Sequence, residues 1–373
     1  MTSYTVTVDP LGARVTCRDD QTVLDACLRE GIWLPHACTH GTCGTCKAQV
    51  TDGEVDLGDA SPYALLDGER AAGQALICVA KPRGDVTIEG EIDADDGVDV
   101  HPVRDYTGTV RVVADAAAGV RRLIIGLDRP LAFNPGQYVQ LSLPSEETRA
   151  NEETRASEET RANGETRPYS IASPPSAAAG PDPAIELHVR LSPGGAATEG
   201  WIFAGLAAGD AVSLSGPYGQ FSLRPARPEP VLLLAGGTGL APMKAILAHL
   251  AGTDTTVRSV TLYHGARTVA DLYEHDWLRG FAAEHNWFTY RPALSRDSWE
   301  GRTGRVPDLL AADYPRASGH AAYICGKPAF VEGTLKALMR ARLFPRDIYR
   351  EDFYTTFDRT AGAAAIRSPL LRR

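Results

Sequence analysis

Four cysteines near the N-terminus constrain the fold of this chain more than any other feature. Cys38, Cys43, Cys46 and Cys78 follow the spacing C-x4-C-x2-C with one distant cysteine. Plant-type [2Fe–2S] clusters are held by four cysteines at this spacing. The pattern therefore predicts a [2Fe–2S] cluster held by these four side chains, and with it a one-electron carrier domain.

Other uses of the cysteines agree less well with the sequence. Disulfide frameworks belong to short secreted chains, whereas this chain has 373 residues and begins without the basic flank and apolar core of a signal peptide. Structural zinc sites use two cysteine or histidine doublets, and only Cys43 with Cys46 forms one. A Rieske centre needs histidine three residues after its second cysteine, and none follows Cys46. Cys27 lies on the apolar face of a predicted helix and is expected to be a buried thiol.

Charge is distributed unevenly along the chain. The net charge is −9, whereas residues 1–100 hold 18 acidic and 7 basic side chains, a net of −11, so the remainder carries about +2. The excess acid around the cysteines suits docking on a basic partner surface, and it equally suits simple solubility. We find no basic patch that would bind nucleic acid and no apolar run near the ~20 residues of a membrane span. We expect a cytoplasmic monomer with no nucleic-acid or membrane partner.

Two breaks divide the chain into three predicted domains. Residues 91–99 are acidic and contain glycine, and residues 224–230 are rich in proline. Short alternating strands between the breaks predict a small antiparallel barrel. After the second break, strands alternate with helices, including one over 270–284, and predict a parallel α/β domain. We place the domains at residues 1–98, 99–226 and 227–373.

Residues 146–163 form a repeat inside the middle domain, in which EETRAN, EETRAS and EETRAN follow one another. A step of six residues turns a helix by about 600°, so the alanines of the repeat fall on different faces. No apolar stripe results that could be buried. We expect a surface insertion between two barrel strands, without fixed structure and without a binding role of its own.

The repeat ends at a strand, Arg167-Pro168-Tyr169-Ser170, whose side chains suit a ring compound that carries phosphate. Alternate side chains of a strand share a face, so Arg167 and Tyr169 point together and Ser170 points away. A guanidinium binds phosphate bidentately, a tyrosine lies against a flat ring, and a serine can hydrogen-bond a ring nitrogen. Alone, this motif is also consistent with an ordinary strand.

A second motif, Gly194-Gly195-Ala196-Ala197-Thr198, precedes a predicted helical stretch through Leu206. The N–H groups at such a helix start, together with the Thr198 hydroxyl, would form a phosphate seat. The same residues also suit a simple helix cap. About 25 residues apart and behind a barrel pattern, the two motifs together indicate a binding site.

The last domain opens with a buried strand over 231–235 that leads into Gly236-Gly237-Thr238-Gly239-Leu240-Ala241-Pro242. A parallel strand that ends in glycines before a helix is the usual cradle for a pyrophosphate. This glycine pattern departs from G-x-G-x-x-G and is weak by itself. Further along, Cys325-Gly326-Lys327-Pro328 follows another strand, where a core cysteine would be the alternative interpretation.

These motifs resemble those of the ferredoxin–NADP⁺ reductase superfamily, which binds FAD through R-x-Y-S and G-G-x-x-S/T and nicotinamide nucleotides through G-G-T-G-x-A-P and C-G-x-P. The resemblance implies that Ser170, Cys325 and Phe353 act at the reacting rings, with Phe353 covering the flavin until the nicotinamide displaces it. It implies FAD contacts from Arg167, Tyr169, Ser170, His188, Val189, Gly194, Gly195, Thr198 and Phe353. It implies NAD contacts from Gly236, Gly237, Thr238, Gly239, Pro242, Arg267, Cys325, Gly326 and Pro328. Only one arginine, Arg267, follows the second strand of this domain, which favours NADH over NADPH.

The order of the three domains resembles the reductase components of bacterial multicomponent phenol hydroxylases. That resemblance covers nearly the whole chain apart from the repeat, and it implies a β-grasp ferredoxin domain, an antiparallel β-barrel FAD domain and a Rossmann-like NAD domain. It also implies electron transfer from NADH through FAD and the cluster to a diiron hydroxylase that oxidises the aromatic substrate. Two alternatives stay open: the reductase of a ring-hydroxylating dioxygenase, and a redox- or nicotinamide-sensing protein without turnover.

Overall fold

The computed structural model describes residues 2–90, 97–142, 166–225, 227–253 and 259–354. These residues form two compact units. One comprises residues 2–104 with Pro217–Gln220 and Tyr354, and the other comprises Asp105–Gly216 and Phe221–Phe353. The repeat at 146–163 lies outside the described residues.

The first unit is built on a mixed five-stranded sheet with a helix packed against it. The sheet has the order β2-β1-β7-β3-β5, in which β1 and β7 are parallel. The helix α1 begins after Thr22, whose hydroxyl accepts the Asp25 N–H as an N-cap. It buries its apolar face, and Cys27 is fully buried there as expected. The elements are β1 (Ser3–Asp9), β2 (Ala13–Arg18), α1 (Val23–Arg29), β3 (Lys47–Asp52), β4 (Val55–Asp56), α2 (Asp67–Ala71), β5 (Gln74–Leu76), β6 (Lys81–Pro82) and β7 (Val86–Glu89).

The second unit contains a six-stranded antiparallel barrel. Its strand order is β11-β10-β13-β8-β9-β12, and an Ile171–Leu187 bridge joins the two end strands and closes the sheet. Alternate residues fill the interior, as expected for a small barrel. The elements are β8 (Arg104–Ala117), β9 (Val120–Leu127), β10 (Tyr138–Ser142), β11 (Thr166–Ser170), α3 (Pro175–Ala179), β12 (Ala184–Arg190) and β13 (Ala211–Tyr218).

The same unit contains a parallel six-stranded sheet with the order β17-β16-β15-β14-β18-β19. The central strands β14 and β18 are buried almost throughout, which is why they are continuous apolar runs in the sequence. The elements are β14 (Val231–Gly236), α4 (Leu240–Ala251), β15 (Val260–Ala266), α5 (His275–Glu284), β16 (Phe288–Leu294), β17 (Arg302–Thr303), α6 (Val306–Asp313), β18 (Ala321–Gly326), α7 (Pro328–Arg340) and β19 (Ile348–Asp352).

Two predicted helical stretches are shorter in the structure. The helix predicted over 270–284 begins only at His275, because Glu274 takes a left-handed conformation with φ of 57° and the preceding Leu272 and Tyr273 are buried in the core. The stretch predicted to run through Leu206 is a single π-helical turn, Thr198–Ile202. In both places tertiary packing overrides the local preference for a helix.

Candidate functional site

The four predicted cluster ligands lie together in the first unit. Cys38, Cys46 and Cys78 are buried and Cys43 is partly exposed. Cys38 is hydrogen-bonded to Cys43, and Cys78 to Cys46. The two pairs also interact electrostatically with each other, and four cysteine sulfurs gathered in one region are the ligand set that a [2Fe–2S] cluster requires.

The loop around Cys38 directs backbone donors at sulfur. The N–H groups of Thr42 and Cys43 each donate to Cys38 Sγ at 3.4 Å. Gly41 permits this turn with φ of 78°, and a Cβ there would lie 3.0 Å from the Asp59 carbonyl oxygen. Such N–H bonds stabilise negative charge on sulfur and tune the potential of a cluster.

The pKa values of Cys38, Cys43 and Cys78 reflect the crowding of thiols in this site. The hydrogen bonds that Cys38 donates to Cys43 and Cys78 donates to Cys46, together with burial, raise the pKa of Cys38 and Cys78 well above the usual range. The hydrogen bond with Cys38 lowers the pKa of Cys43 to about 6. Several thiolates in one buried site repel one another, so this donor set suits cationic iron.

His36 anchors the start of the cysteine loop, a role for which we had no prediction. Its Nδ1 lies 2.7 Å from the Leu34 carbonyl oxygen, and its Nε2 accepts the Gly219 N–H at 2.8 Å. This pair of bonds requires the neutral imidazole with its proton on Nδ1. Burial accordingly lowers the pKa of His36 to about 4. A histidine two residues before the first ligand was the only sequence signal.

The R-P-Y-S strand of the barrel has the predicted alternation. Arg167 and Tyr169 are partly exposed, whereas Ser170 is buried. Burial also raises the pKa of the Tyr169 hydroxyl. This arrangement leaves a guanidinium and a phenol ring on one side of β11, the combination that a dinucleotide with a flat ring needs.

The Gly194–Thr198 loop is held by its own hydrogen bonds. The Thr198 hydroxyl accepts the Ser192 N–H at 3.0 Å and donates to the Ser192 carbonyl oxygen at 3.1 Å. The Gly194 N–H donates to Glu199 Oε2 at 2.6 Å. A phosphate bound by Gly194 would therefore replace the Glu199 carboxylate at this N–H.

His188 and Val189 lie on opposite faces of β12. Val189 is fully buried in the barrel core. The His188 ring points the other way, with its Nε2 2.7 Å from Glu186 Oε1 and its Nδ1 3.2 Å from the Tyr273 hydroxyl. Of the two side chains, only that of His188 therefore lies outside the barrel interior. Val189 could contact a ring outside the barrel only through its backbone.

The glycine loop after β14 packs directly on the end of β18. A Cβ at Gly239 would lie 2.1 Å from the Cys325 carbonyl oxygen, so only glycine permits this approach. Thr238 lies in the short turn Gly237–Gly239, and Pro242 in the first turn of α4. Pro328 begins α7 in the position where proline is favoured. Arg267 follows β15 and is exposed. The loop has the form of a pyrophosphate cradle at the carboxyl edge of a parallel sheet.

The structure brings Ser170 and Cys325 to the same carboxylate, Glu351. The Ser170 hydroxyl donates to Glu351 Oε2 at 3.3 Å, and Cys325 Sγ lies 4.0 Å from the same oxygen. Glu351 is opposite Cys325 in the β18–β19 register. Phe353, two residues on, donates its N–H to the Gly326 carbonyl oxygen at 2.8 Å. Two of the three residues predicted at the reacting rings therefore contact one acid, and the third lies two residues beyond it in the chain.

Glu351 and Cys325, the two buried groups beside Ser170, are protonated at neutral pH. Burial raises the pKa of Glu351 to about 8. Burial also raises the pKa of Cys325 well above its usual range, and the nearby Glu351 and Asp352 add to this. We assigned no role to Glu351 from the sequence. An acid at the carboxyl end of the last strand was the available signal.

Three domain families match the chain in the predicted order. The 2Fe-2S iron-sulfur cluster binding domain matches residues 6–83, the oxidoreductase FAD-binding domain matches 109–223, and the oxidoreductase NAD-binding domain matches 233–336. These matches confirm the predicted fold class and the predicted cofactors, the [2Fe–2S] cluster, FAD and NADH. No helix in the described ranges has the length and apolar character needed to cross a membrane.

Known proteins resemble the chain over its full length. The reductase component DmpP of phenol 2-monooxygenase from Pseudomonas sp. (strain CF600) is 44% identical over 378 residues, covering 100% of this chain and 99% of the relative. The ferredoxin–NAD(P)⁺ reductase component of the naphthalene 1,2-dioxygenase system of Pseudomonas putida is 32% identical, with coverage of 89% and 93%. The crystal structure of the Amycolatopsis cytochrome P450 reductase GcoB superposes with a TM-score of 0.82 at 44% identity, covering 94% of this chain and 98% of that one.

Proposed function

Because this chain belongs to the family of oxygenase reductase components that join a [2Fe–2S] ferredoxin domain to FAD- and NAD-binding domains, we propose that it delivers electrons from NADH to the diiron hydroxylase of a multicomponent phenol hydroxylase. The observation that carries the proposal is the 44% identity to a phenol 2-monooxygenase reductase, which extends over all of the chain. When bound, FAD supplies the exchange between the electron pair of NADH and the single electrons that a [2Fe–2S] cluster holds.

The side chains of the barrel are proposed to hold FAD in one orientation. Arg167 and the Gly194–Thr198 loop take its phosphates, and Tyr169 lies against its ring. Ser170 is buried, and its hydroxyl is fixed by Glu351. A hydroxyl in a fixed position can make a directed hydrogen bond to a ring nitrogen.

NADH is proposed to occupy the carboxyl edge of the parallel sheet. The Gly236–Gly239 loop, Thr238 and Pro242 hold the pyrophosphate, and Arg267 contacts the nucleotide. Cys325, Gly326 and Pro328 line the nicotinamide end, where Phe353 gives way to the entering ring. Glu351 is the positioning residue of this group, because its neutral carboxyl group contacts both Ser170 and Cys325 without adding a negative charge at pH 7.

The cysteine loop is proposed to be the exit for electrons. Cys38, Cys43, Cys46 and Cys78 hold the cluster, and the acidic surroundings favour a partner with a basic docking surface. The proposed domain boundaries, 1–98, 99–226 and 227–373, each enclose one family match. The chain is proposed to be a monomer in the cytoplasm, and that compartment agrees with seven cysteines that form no disulfide, since disulfides are rare there.

A cytochrome P450 is a second candidate for the partner. GcoB, a cytochrome P450 reductase, has the same 44% identity to this chain as the phenol 2-monooxygenase reductase. A ring-hydroxylating dioxygenase is less favoured, because the naphthalene dioxygenase relative is only 32% identical. Reconstitution of the purified chain with each class of oxygenase separates the candidates. Phenol oxidation with the diiron component supports the proposal, and coupled turnover only with a P450 or a Rieske oxygenase contradicts it.

The cluster assignment has its own test, the substitution Cys43→Ser. We expect the variant to retain FAD and NADH-dependent ferricyanide reduction but to lose cytochrome c reduction, because the thiolate ligand is missing. Cys27→Ser, at a buried cysteine outside the loop, is the control and should keep both activities. Cytochrome c reduction at the wild-type rate by Cys43→Ser would exclude the cluster as the exit. Failure of the wild-type chain to oxidise NADH at all would favour a sensing protein.

A further inference from the structure

Strand β12 carries a row of polar side chains on the face turned away from the barrel interior. Glu186, His188 and Arg190 alternate with Leu187 and Val189, which are buried in the barrel core. Alternate residues of a strand share a face, so the three polar side chains form one continuous row. Apart from the bond between His188 and Glu186, the side chains that contact this row belong to the region of the parallel sheet.

Lys244 of α4 lies at the centre of these contacts. Its ammonium group donates to Glu186 Oε1 at 2.8 Å and to Glu274 Oε1 at 3.0 Å. His188 contacts Glu186 and the Tyr273 hydroxyl at the distances given above, and Arg190 pairs with Asp271 at 3.3 Å. We name this set the β12 seam; it consists of Glu186, His188, Arg190, Lys244, Asp271, Tyr273 and Glu274.

The β12 seam is a buried network of compensated charges. Lys244 is 8% exposed and His188 is 5% exposed. Burial opposes ionisation of Glu186, but the hydrogen bond with His188 and the charge of Lys244 outweigh it and lower the pKa of Glu186 to about 2. Oxygen and nitrogen atoms of Glu186, His188 and Glu274 lie within 4.8 Å of one another, a spacing that could hold a metal ion. The Lys244 ammonium, bonded to both carboxylates, supplies the cation instead.

The seam connects the flavin side of the unit to both parts of the proposed NADH site. On the flavin side, the Glu186 carbonyl oxygen accepts the Ala172 N–H at 2.7 Å, two residues after Ser170. On the NADH side, Lys244 lies two residues after Pro242 of the glycine loop. Asp271 accepts a 3.0 Å hydrogen bond from the Thr268 hydroxyl, next to Arg267. The contacts of Lys244 with Glu186 and of Asp271 with Arg190 therefore tie the segments beside the glycine loop and beside Arg267 to β12.

We propose that the β12 seam sets the position of the nicotinamide relative to the flavin, with Lys244 as its central positioning residue. This inference rests on the proposed function, because it concerns the same two cofactors. Charged groups buried in a complete network have few alternative arrangements, so such a network holds its elements in one register. Hydride transfer depends steeply on that register, since a misplacement of about 1 Å costs roughly 10²-fold in rate.

The test uses the full-length chain loaded with FAD and cluster. The double variant Lys244→Met/Glu274→Gln removes one cation and one anion from the seam and keeps its net charge. We expect the limiting rate of flavin reduction by NADH to fall by roughly 10²-fold. We also expect a larger primary isotope effect with 4-deuterated NADH, because the transfer step then limits the rate. FAD affinity of the apoprotein and NAD⁺ affinity should stay close to wild type, whereas amide hydrogen exchange over Asp271–Glu274 should accelerate.

A matched control removes a similar network on the other face of the sheet. Asp313 accepts hydrogen bonds from Arg291 at 2.6 Å and from Arg302 at 2.9 Å, and it also binds the Tyr263 hydroxyl. Tyr263 precedes His264, whose ring packs on Tyr273, so the two networks lie on opposite faces. Arg302→Met/Asp313→Asn should lower stability without changing the isotope effect.

The outcomes distinguish a failure of the proposed role of the seam from a failure of the proposed function. Equal flavin reduction rates in the seam variant and the Asp313 control, or a parallel loss of FAD affinity, would overturn the role of the seam. If the double variant does not fold, the same measurements are made on Lys244→Arg, because this substitution keeps the positive charge and changes only the length and shape of the side chain. Slower flavin reduction at an unchanged unfolding temperature supports the inference, and a wild-type rate overturns it. If the wild-type chain itself is not reduced by NADH, the proposed function fails.

Discussion

At the scale of single residues, Glu351 lies in an environment that its place in the sequence does not suggest. A glutamate near the C-terminus is usually a solvated charge. Here it is buried between Ser170 and Cys325, and its pKa is raised to about 8. The strand register that places it opposite Cys325 decides this environment.

The raised pKa predicts a pH-dependent stability. Below pH 4.5 Glu351 is protonated in the folded and unfolded chain, whereas between 4.5 and about 8 only the folded chain keeps the proton. The folded chain therefore loses stability from this group as pH rises through that window, by up to about 1.4 kcal/mol per pH unit. Glu351→Gln should remove this loss, so its advantage in thermal unfolding over wild type should grow from pH 5 to 8 and then level off.

A surface glutamate provides the control for this measurement. Glu332 pairs with Lys336 one helical turn away at 2.6 Å. Such a pair contributes roughly 0.5 kcal/mol, so Glu332→Gln should change the free energy of unfolding by no more than about that amount. A constant offset for Glu351→Gln would mean that the carboxyl group is not buried as described.

At the scale of elements, the glycine loop and the end of β18 are built as one piece. The predicted motifs, G-G-T-G-L-A-P and C-G-K-P, lie 83 residues apart when measured from Pro242 to Cys325. The β14–β18 pairing places Ala235 beside Cys325, so the loop that follows β14 must cross the end of β18. Gly239 makes this crossing possible.

Gly239→Ala should therefore disrupt NADH binding. The added Cβ would lie 2.1 Å from the Cys325 carbonyl oxygen, and this backbone group cannot move aside as a side chain would. We expect the KM for NADH to rise by at least roughly 10-fold, equivalent to about 1.4 kcal/mol of lost binding, with FAD still bound. The KM is measured by steady-state NADH oxidation with ferricyanide as the electron acceptor.

Gly280→Ala is the matched glycine control. Gly280 lies inside α5, and a Cβ there meets nothing within 4 Å. Alanine in a helix interior is more stable than glycine by roughly 0.5–1 kcal/mol. This variant should unfold at a higher temperature with an unchanged KM. An unchanged KM in Gly239→Ala as well would show that the loop does not hold the nucleotide.

At the scale of the whole molecule, the three cofactor modules are distributed over two compact units, and the repeat interrupts one strand pair of the second unit. The repeat separates β10 from β11 along the chain, yet Ser142 and Thr166 are paired across the two strands. The ends of these strands are therefore adjacent, and a short hairpin can connect them.

Deletion of residues 146–163 should consequently leave the enzyme active. It would join the strands by a five-residue loop of residues 143–145 and 164–165, a length common in hairpins. We expect FAD content and NADH-dependent ferricyanide reduction within roughly two-fold of wild type, because the repeat has no apolar face to contribute. Loss of FAD on deletion would instead assign the repeat a role beside Arg167.

The sequence by itself determined the cofactors and the order of the modules. Cluster ligands and glycine loops need fixed residue types at fixed short spacings, so their chemistry is visible in a linear pattern. The buried runs of β14 and β18 and the alternating barrel strands were visible for the same reason, since their periods are local. Helix boundaries were predicted less accurately, because burial of Leu272 and Tyr273 and the left-handed Glu274 delay the start of the predicted helix to His275.

Only the tertiary structure decided which distant residues meet. Ser170 and Glu351 are 181 positions apart, and Lys244 and Glu186 are 58 apart. No short-range pattern links such pairs, since strand order and register bring them together. The physical reason is that buried polar groups must find partners wherever the fold supplies them. Sequence thus specified the chemistry of the four cysteines and the two nucleotide motifs, and the fold specified that Glu351 meets Ser170 and Cys325 and that Lys244 meets Glu186.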